Sequence, residues 1–201
     1  MTSQFWDDRY RADEYAYGRE PNEFLVEQAA RIPRGPILCL AEGEGRNAVF
    51  LAGLGHEVTA VDFSPEALRK TERLAREHNV KVTTVRADLA AYEVDAESYI
   101  GIVSIFAHLP PPVRMQVHAW VPGALLPGGV FILEAYRPEQ LELNTGGPRD
   151  PSLLMTLDGL KDELAPLTIE VGRDAERQIH EGAFHSGWSA TVQVVAARRA
   201  R

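Results

Sequence analysis

A short glycine-containing loop between a predicted strand and a predicted helix is the most informative chemical feature of the sequence. Residues 43–48, GEGRNA, fit the pattern G-x-G-x-x-A, in which glycines let a ligand approach the backbone at the start of a helix. Asp62 ends the next predicted strand, where a carboxylate can accept hydrogen bonds from both hydroxyls of a ribose. Loop and acid together predict a site for a nucleoside-containing ligand. The alternative, in which the glycines only form a tight turn and Asp62 only precedes a helix, stays open at this point.

The charge beside the loop bears on which nucleoside ligand it accepts. Glu42 and Glu44 flank Gly43, and a unit charge about 6 Å from a pyrophosphate at an effective dielectric of about 20 would be repelled by roughly 3 kcal/mol. The same acids favour the sulfonium and ammonium of S-adenosylmethionine, whose carboxylate Arg46 or the helix N-terminus could take. An NAD(P)-dependent oxidoreductase is the first competing hypothesis, because it shares the glycine pattern. A binding module that holds S-adenosylmethionine without turnover is the second.

Strands and helices alternate along the part of the chain that must position these groups. Apolar, β-branched runs predict strands over 37–40, 57–61, 80–85, 100–106 and 130–135. Helical periodicity predicts helices over 21–32, 46–54, 64–78 and 110–124. Ser64, Pro65 and Glu66 provide a cap, a first-turn proline and a dipole-favoured acid. The alternation predicts an α/β fold with a parallel sheet and right-handed crossovers.

The end of the chain departs from this alternation. A loop rich in glycine and proline follows Tyr136, and a helix is predicted near 153–164. Two strand-like stretches, 168–171 and 191–196, are separated by the segment EGAFHSG and predict an antiparallel pair.

Composition excludes several classes of function. The chain has 201 residues, of which 45% are hydrophobic and 25% charged, which predicts one globular domain over 1–201. Its net charge of -8 repels a polyanion, so nucleic acid is not expected as a partner. No apolar stretch suits a bilayer or a secretory signal, so no membrane partner is expected. The single cysteine, Cys39, lies in an apolar run and fits a reducing, cytoplasmic location.

Six segments in this order and spacing resemble the class I S-adenosylmethionine-dependent methyltransferases, most closely the small bacterial tellurite-resistance (TehB-like) type. They are YAYGREPNEFL, ILCLAEGEGRNAVFLA, VTAVDFSPEAL, VRADL, GIVSIFAHLP and LLPGGVFILEAY. The resemblance covers nearly the full chain. It implies a Rossmann-like, seven-stranded sheet of order 3-2-1-4-5-7-6 with an antiparallel seventh strand. It also implies that residues 1–35 form a lid or helix segment over the cofactor.

The resemblance further implies a set of cofactor contacts, carried over position by position. The set comprises Tyr17, Glu42, Gly43, Gly45, Arg46, Asn47, Asp62, Phe63, Asp88, Leu89, Ile105 and Phe106. Gly43 and Gly45 would lie under the methionine moiety, and Asp62 would bind the ribose. Most of the superfamily has an acid in place of Cys39 and a glycine in place of Ala41, so Glu42 is expected to supply the missing charge.

The adenine and the transferred methyl group have their own implied contacts. Phe63 would flank the adenine and Asp88 would accept from its amino group. Ile105 and Phe106 would border the methyl group. Tyr17 would lie on the segment that covers the cofactor.

Histidines are the candidate groups for the chemistry itself. Methyl transfer is an in-line displacement in which alignment can supply most of the catalysis, and a base helps only if the acceptor arrives protonated. His108, two residues after the fourth strand, is the candidate base. Arg137 and His185 are candidate contacts to a small-molecule acceptor. No metal site is expected, because His180 and His185 lack a third ligand. The oligomeric state is left open.

Overall fold

The structure is a computed structural model and describes residues 3–200. Its helices are α1 (Ser3–Tyr10), α2 (Glu23–Gln28), α3 (Arg46–Gly53), α4 (Pro65–Glu77), α5 (Pro111–Ala124) and α6 (Leu157–Glu163). Its strands are β1 (Pro36–Leu40), β2 (Glu57–Asp62), β3 (Val82–Arg86), β4 (Tyr99–Ile105), β5 (Leu125–Tyr136), β6 (Thr168–Glu181) and β7 (His185–Ala197).

The seven strands form one sheet of order β3-β2-β1-β4-β5-β7-β6. The first five strands pair in parallel, whereas β7 runs antiparallel to both β5 and β6. Successive side chains of a strand point to opposite faces, so Leu38 and Leu40 pack on the side of α5 and α6, while Ile37 and Cys39 pack on the side of α2 and α3. The predicted fold class and strand order are confirmed.

Capping residues explain where the helices begin. The Ser64 hydroxyl accepts from the Ala67 amide at 3.2 Å, with Pro65 at the first turn of α4, as the sequence predicts. Asn22 caps α2 by accepting from the Leu25 amide at 2.9 Å. The predicted helix over 21–32 therefore begins at Glu23, and it tightens into a 3-10 turn over Ala29–Arg31.

The structure differs from the sequence-based expectation at three places. Helix α1 lies in the segment 1–35 that the resemblance implies as a lid or helix segment, but the periodicity predicts no helix over its residues. The helix expected near 153–164 divides into a 3-10 turn, Pro151–Leu153, and α6. Strands β6 and β7 have 14 and 13 residues, far longer than the predicted stretches.

The length of the β6–β7 hairpin has a positional consequence. Pairing between β5 and β7 covers only Thr191 to Ala197 on β7, whereas β6 and β7 pair with each other out to Glu181 and His185. The tip of the hairpin therefore extends beyond β5, past the carboxyl ends of the parallel strands. No helix in residues 3–200 is long and apolar enough to cross a bilayer.

Candidate active site

A cavity of about 520 Å³ lies at the carboxyl ends of β1, β2, β3 and β4. Open α/β sheets bind their ligands at this edge. Its floor includes the loop after β1, Asp62 at the end of β2 and Ile105 at the end of β4. Three segments cover it, which we call the roof: α1, residues 15–18 and the hairpin tip 182–185.

Hydrogen bonds attach the roof to the body of the domain. The Tyr17 amide donates to Glu44 at 3.3 Å, and the Tyr15 hydroxyl donates to the Lys70 carbonyl at 3.3 Å. The hairpin tip joins the strap of residues 15–18 where the Ala183 amide donates to the Ala16 carbonyl at 3.0 Å. The cavity is therefore bounded by segments far apart in sequence.

Nearly all predicted site residues line this cavity. They are Tyr17, Glu42, Gly43, Arg46, Asn47, Asp62, Phe63, Asp88, Leu89, Ile105, Phe106, His108 and His185. Two predicted residues do not. A Cβ on Gly45 would lie 2.7 Å from Thr71, so Gly45 serves the packing of the loop against α4. Arg137 pairs with Asp174 and Glu176 at 3.3 and 3.1 Å, and no contact supports its predicted role at the acceptor.

Glu42 caps the N-terminus of α3. Its carboxylate accepts from the amides of Asn47 and Ala48 at 3.0 and 2.8 Å. Burial raises the pKa of Glu42 to about 7, although these amides and Arg46 favour its ionised form. Because Glu42 takes the amides of Asn47 and Ala48, the N-terminus of α3 does not offer these two amides to a ligand carboxylate.

Glu44 is engaged in a different way. Its carboxylate pairs with the Lys70 ammonium at 2.7 Å, and both side chains are almost completely buried. Lys70 therefore neutralises Glu44, which is not the free negative charge beside the loop that the sequence predicts. The negative field of the cavity floor therefore comes from Glu42 and Asp62.

Asp62 lies at the end of β2, where the ribose acid is predicted. Its two oxygens accept from the amides of Gly43 and Ser64, each at 2.8 Å. Burial raises the pKa of the Asp62 carboxyl, although both amides favour the charged form. Each carboxylate oxygen retains a lone pair beyond the amide that it accepts from. Asp62 can therefore accept further hydrogen bonds from a ligand in the cavity.

Two residues of the floor have left-handed backbone conformations. Ala41 has φ of +46° and Phe106 has φ of +53°, a region that favours glycine. Ala41 occupies the position where the resembling family has glycine, so the loop keeps the conformation without the residue that suits it best. Phe106 follows β4 directly, and it lies where the methyl group is predicted to be transferred. Strain of this kind clusters at functional sites.

Aromatic rings surround the space beside Phe106. The centroid of its ring lies 4.7 Å from those of Tyr136 and His185, and Tyr17 lies 4.5 Å from His185. Burial lowers the pKa of His185, against the opposing effect of Glu181. Its Nδ1 is buried without a hydrogen-bond partner in residues 3–200, and the nearest Glu181 oxygen is 3.9 Å away.

His108 has both ring nitrogens engaged by the backbone. Nδ1 donates to the Leu153 carbonyl at 3.0 Å, and Nε2 accepts from the Tyr136 amide at 3.4 Å. Burial lowers the pKa of His108 to about 4. Its predicted role as the base remains a prediction, and these hydrogen bonds hold it as a neutral ring that connects the loop 144–153 to β5.

A buried cluster of charges beside the cavity escapes the sequence analysis. We call Asn22, Arg46, Glu134, Arg177 and Glu181 the charge cluster. Arg177 donates to Glu134 at 3.0 and 2.8 Å, and Arg46 pairs with Glu181 at 2.5 Å. The Asn22 amide group donates to Glu134 at 2.6 Å and to Glu181 at 2.9 Å. The segments YAYGREPNEFL and LLPGGVFILEAY hold two members, but only the fold shows that they meet.

The cavity fits S-adenosylmethionine on the geometry of this structure. Ligand pockets for molecules of this size span about 300–1,000 Å³. A Cβ on Gly43 would lie 3.1 Å from the Tyr10 hydroxyl, so glycine at this position allows Tyr10 of the roof to lie close to the loop. Asp62 would hold the ribose and Arg46, which has guanidinium donors beyond its contact with Glu181, would hold the carboxylate. The exposed Asp88 and half-buried Phe63 line the cavity where the adenine is predicted.

Comparisons with known proteins agree with this interpretation. Residues 37–129 match the family model described as a methyltransferase domain. No curated protein sequence matches the chain significantly. A structure solved in a study of the conversion of a disulfide bond into a thioacetal group during echinomycin biosynthesis has a TM-score of 0.79 and 20% identity, covering 98% of this chain and 92% of that chain.

Two further solved structures share the fold. TehB from Haemophilus influenzae has a TM-score of 0.73 at 17% identity and covers 98% of this chain and 67% of that chain. A SAM-dependent methyltransferase from Methanosarcina mazei has a TM-score of 0.72 at 17% identity and covers 90% of this chain and all 100% of that chain. The family model extends from β1 through the loop, Asp62 and β4 into β5. The predicted resemblance, enzyme class and cofactor are thereby confirmed: residues 37–129 match a methyltransferase domain, and the described residues have the fold of S-adenosylmethionine-dependent methyltransferases.

Proposed function

We propose that this methyltransferase transfers a methyl group to a small-molecule acceptor with a soft nucleophile, such as a thiol or a metalloid oxyanion. The observation that carries the proposal is the continuity of one cavity, in which the floor at Asp62 and Gly43 leads to the rings around Phe106. S-adenosylmethionine supplies, when bound, an activated methyl group on a sulfonium. Everything that the chain must add is position and the exclusion of water.

The rings beside Phe106 suit this task. Phe106, Tyr136 and His185 lie within contact of one another, and Tyr17 contacts His185. Aromatic faces attract a cation through their quadrupole. These four rings carry no formal charge that would interfere with the displacement at the methyl group. The roof covers part of the same space, and its hydrogen bonds to Glu44 and to the Lys70 carbonyl attach it there.

The choice of a soft nucleophile rests on two supports. The structural relative from echinomycin biosynthesis is described by a reaction at sulfur, and the TehB-like resemblance carries the metalloid alternative. A soft acceptor also needs little help from a base, in keeping with a His108 whose ring nitrogens are both engaged. His185, which lines the cavity with a free Nδ1, is the proposed acceptor contact.

The roof is the proposed lid. Helix α1 and residues 15–18 fall within the segment 1–35 to which the resemblance gives this role, although Met1 and Thr2 lie outside the described residues. Tyr17 is its central contact, because its amide donates to Glu44 while its hydroxyl accepts from Arg9 at 3.3 Å. The single cysteine, Cys39, is fully buried in β1 and supports a cytoplasmic location.

The proposal is tested by a screen of acceptors with methyl-labelled S-adenosylmethionine. The panel comprises thiols, selenite, tellurite, phenols and amines, and the readout is release of S-adenosylhomocysteine together with a labelled product. We expect turnover with a thiol or a metalloid oxyanion. Turnover confined to phenols or amines contradicts the proposed acceptor class, and binding of S-adenosylhomocysteine without any turnover contradicts the proposed reaction.

A further inference from the structure

Arg9 presents an unpaired guanidinium to the cavity. It lies on α1, its Cζ is 3.9 Å from the centroid of the Phe184 ring and 5.4 Å from that of Phe5, and it donates to the Tyr17 hydroxyl at 3.3 Å. No carboxylate within the described residues comes within ion-pair distance of it. The two rings and the hydroxyl hold the group in place without neutralising it.

The contrast with the other arginines makes this position unusual. Most arginines in residues 3–200 pair with an aspartate or a glutamate, as expected in a chain of net charge -8. The described arginines that do not are Arg9, Arg34, Arg76, Arg86, Arg149 and Arg199. Among these six only Arg9 is half-buried, whereas the others are exposed to water. A partly desolvated, uncompensated cation in a ligand cavity is a site for an anion.

The position of Arg9 favours the acceptor over the cofactor as the source of that anion. Phe5, which contacts Arg9, lines both the main cavity and an adjoining cavity of about 460 Å³. Pro110 and Leu153 line both cavities as well, while Gly43 and Asp62 line only the first.

 Arg46, beside the loop, would bind the carboxylate of the cofactor. Arg9 is therefore left to bind an anionic group that enters from the second cavity.

We propose that Arg9 binds an anionic group of the acceptor, and that the acceptor is an organic anion with an apolar body. This inference rests on the proposed function and names the substrate class of the same site. The apolar body would lie along Leu109, Pro110 and Val113, which line the main cavity beyond Phe106. The part of the main cavity beside these residues is larger and more apolar than an inorganic oxyanion needs, so selenite or tellurite would leave much of it unfilled.

The test compares a carboxylate with its neutral amide in protein saturated with S-adenosylhomocysteine. The probes are 2-naphthoate and 2-naphthamide, and their dissociation constants are measured by calorimetry. The variants are Arg9→Met, which removes the charge, and Arg9→Lys, which keeps it. Arg34→Met is the matched control, because Arg34 is an exposed arginine without a carboxylate partner and does not line either cavity. Selenite is added as a competitor in a separate arm.

We expect the wild-type protein to prefer the carboxylate and Arg9→Met to weaken its binding by about tenfold to a hundredfold, the usual value of a charge-assisted hydrogen bond. Arg9→Lys is expected to lose less, and Arg34→Met nothing. Equal binding of the two probes to the wild type overturns the inference. An Arg9→Met variant that binds S-adenosylhomocysteine more weakly but still prefers the carboxylate probe also overturns it. Full displacement of 2-naphthoate by a stoichiometric amount of selenite does so too. Failure of the wild type to bind S-adenosylhomocysteine would count against the proposed function instead.

Discussion

Two groups of buried carboxylates lie close together in this fold and differ in what compensates their charge. Glu42 and Asp62, the cavity acids, accept mainly from backbone amides, and burial raises the pKa of both. Glu134 and Glu181 in the charge cluster face guanidinium groups instead, and the pKa of Glu181 falls to about 2 despite burial. A carboxylate held by amides has no paired cation, so its charge, when it is ionised, acts on a ligand, whereas a carboxylate held by guanidinium groups has its charge compensated within the fold.

The largest expected effect comes from removing the cation of the charge cluster. Arg177→Met leaves the fully buried Glu134 with neutral donors alone, and uncompensated buried charges cost about 3–5 kcal/mol of unfolding free energy. Urea unfolding measures the loss. The control is Arg31→Met, which breaks an exposed pair with Glu170 and is expected to cost about 0–1 kcal/mol. Equal losses in the two variants would show that the cluster does not stabilise the fold.

Removing a cavity acid should instead affect binding. Asp62→Asn keeps the size of the side chain but removes the charge, and we expect S-adenosylhomocysteine to bind about a hundredfold more weakly, the loss of hydrogen bonds to a charged group. The free energy of unfolding should fall by about 1–3 kcal/mol, less than in Arg177→Met, because the side-chain NH2 of asparagine cannot accept from one of the two backbone amides that Asp62 accepts from. Calorimetry and urea unfolding provide the two readouts. Glu66→Gln, an exposed acid of α4 that pairs with Arg69, is the control, and a similar loss of binding there would contradict the assignment.

The contributions of the two groups to the free energy of unfolding should also depend on pH in opposite directions. The pKa of Glu42 is raised from 4.5 to about 7 in the folded state, so its contribution to stability is present below about pH 4.5 and is lost as the pH rises towards 7. A shift of this size corresponds to about 3 kcal/mol. Glu42→Gln keeps an oxygen for the amides of Asn47 and Ala48 and should flatten the stability curve in this window. Urea unfolding between pH 4.5 and 8 measures it, and an unchanged slope in the variant would argue against the shifted Glu42.

The contribution of Glu181 to stability depends on pH in the opposite direction. Its pKa is lowered from 4.5 to about 2, so the stability that it contributes is present above about pH 4.5 and is lost as the pH falls towards 2. The wild-type protein should therefore lose stability on both sides of a maximum, with a different group responsible on each side.

The smallest expected effect concerns His108. His108→Ala should lower turnover more than cofactor affinity, and we expect a loss of about tenfold, below the 10²–10⁴-fold typical of a general base. The reason is that both ring nitrogens already bond to the backbone. Steady-state kinetics and calorimetry separate the two quantities. A loss of a hundredfold or more would support His108 as the base, and an equal loss of turnover and affinity would make it a binding residue.

Local signals in the sequence predict the floor of the cavity. The helix start at Ser64 and Pro65 and the buried run of β1 depend on neighbouring residues alone, and the structure has both where the sequence predicts them. The glycine loop and Asp62 also come together as expected, because consecutive parallel strands end at one edge. The parallel core of the fold is thus readable from short-range patterns.

The roof and the charge cluster could not be predicted in this way. Helix α1 has a weak apolar pattern and contacts the body through residues such as Tyr10, which is buried against the loop. Strand β6 lies at the edge of the sheet and alternates charged with apolar residues, so much of its length carries no hydrophobic run. Glu134 looks misplaced in an apolar strand until Asn22 and Arg177, each far away in sequence, come to face it.

The contact between the strap and the hairpin tip joins two segments that the ribosome makes at very different times. A Cβ on Gly182 would clash with the Ala16 carbonyl and the Gly18 amide, so the two backbones touch there. Residues 15–18 leave the ribosome long before residues 182–185, so they have nothing to close against while most of the chain is being made. The roof of the cavity can be completed only when residues 182–185 emerge.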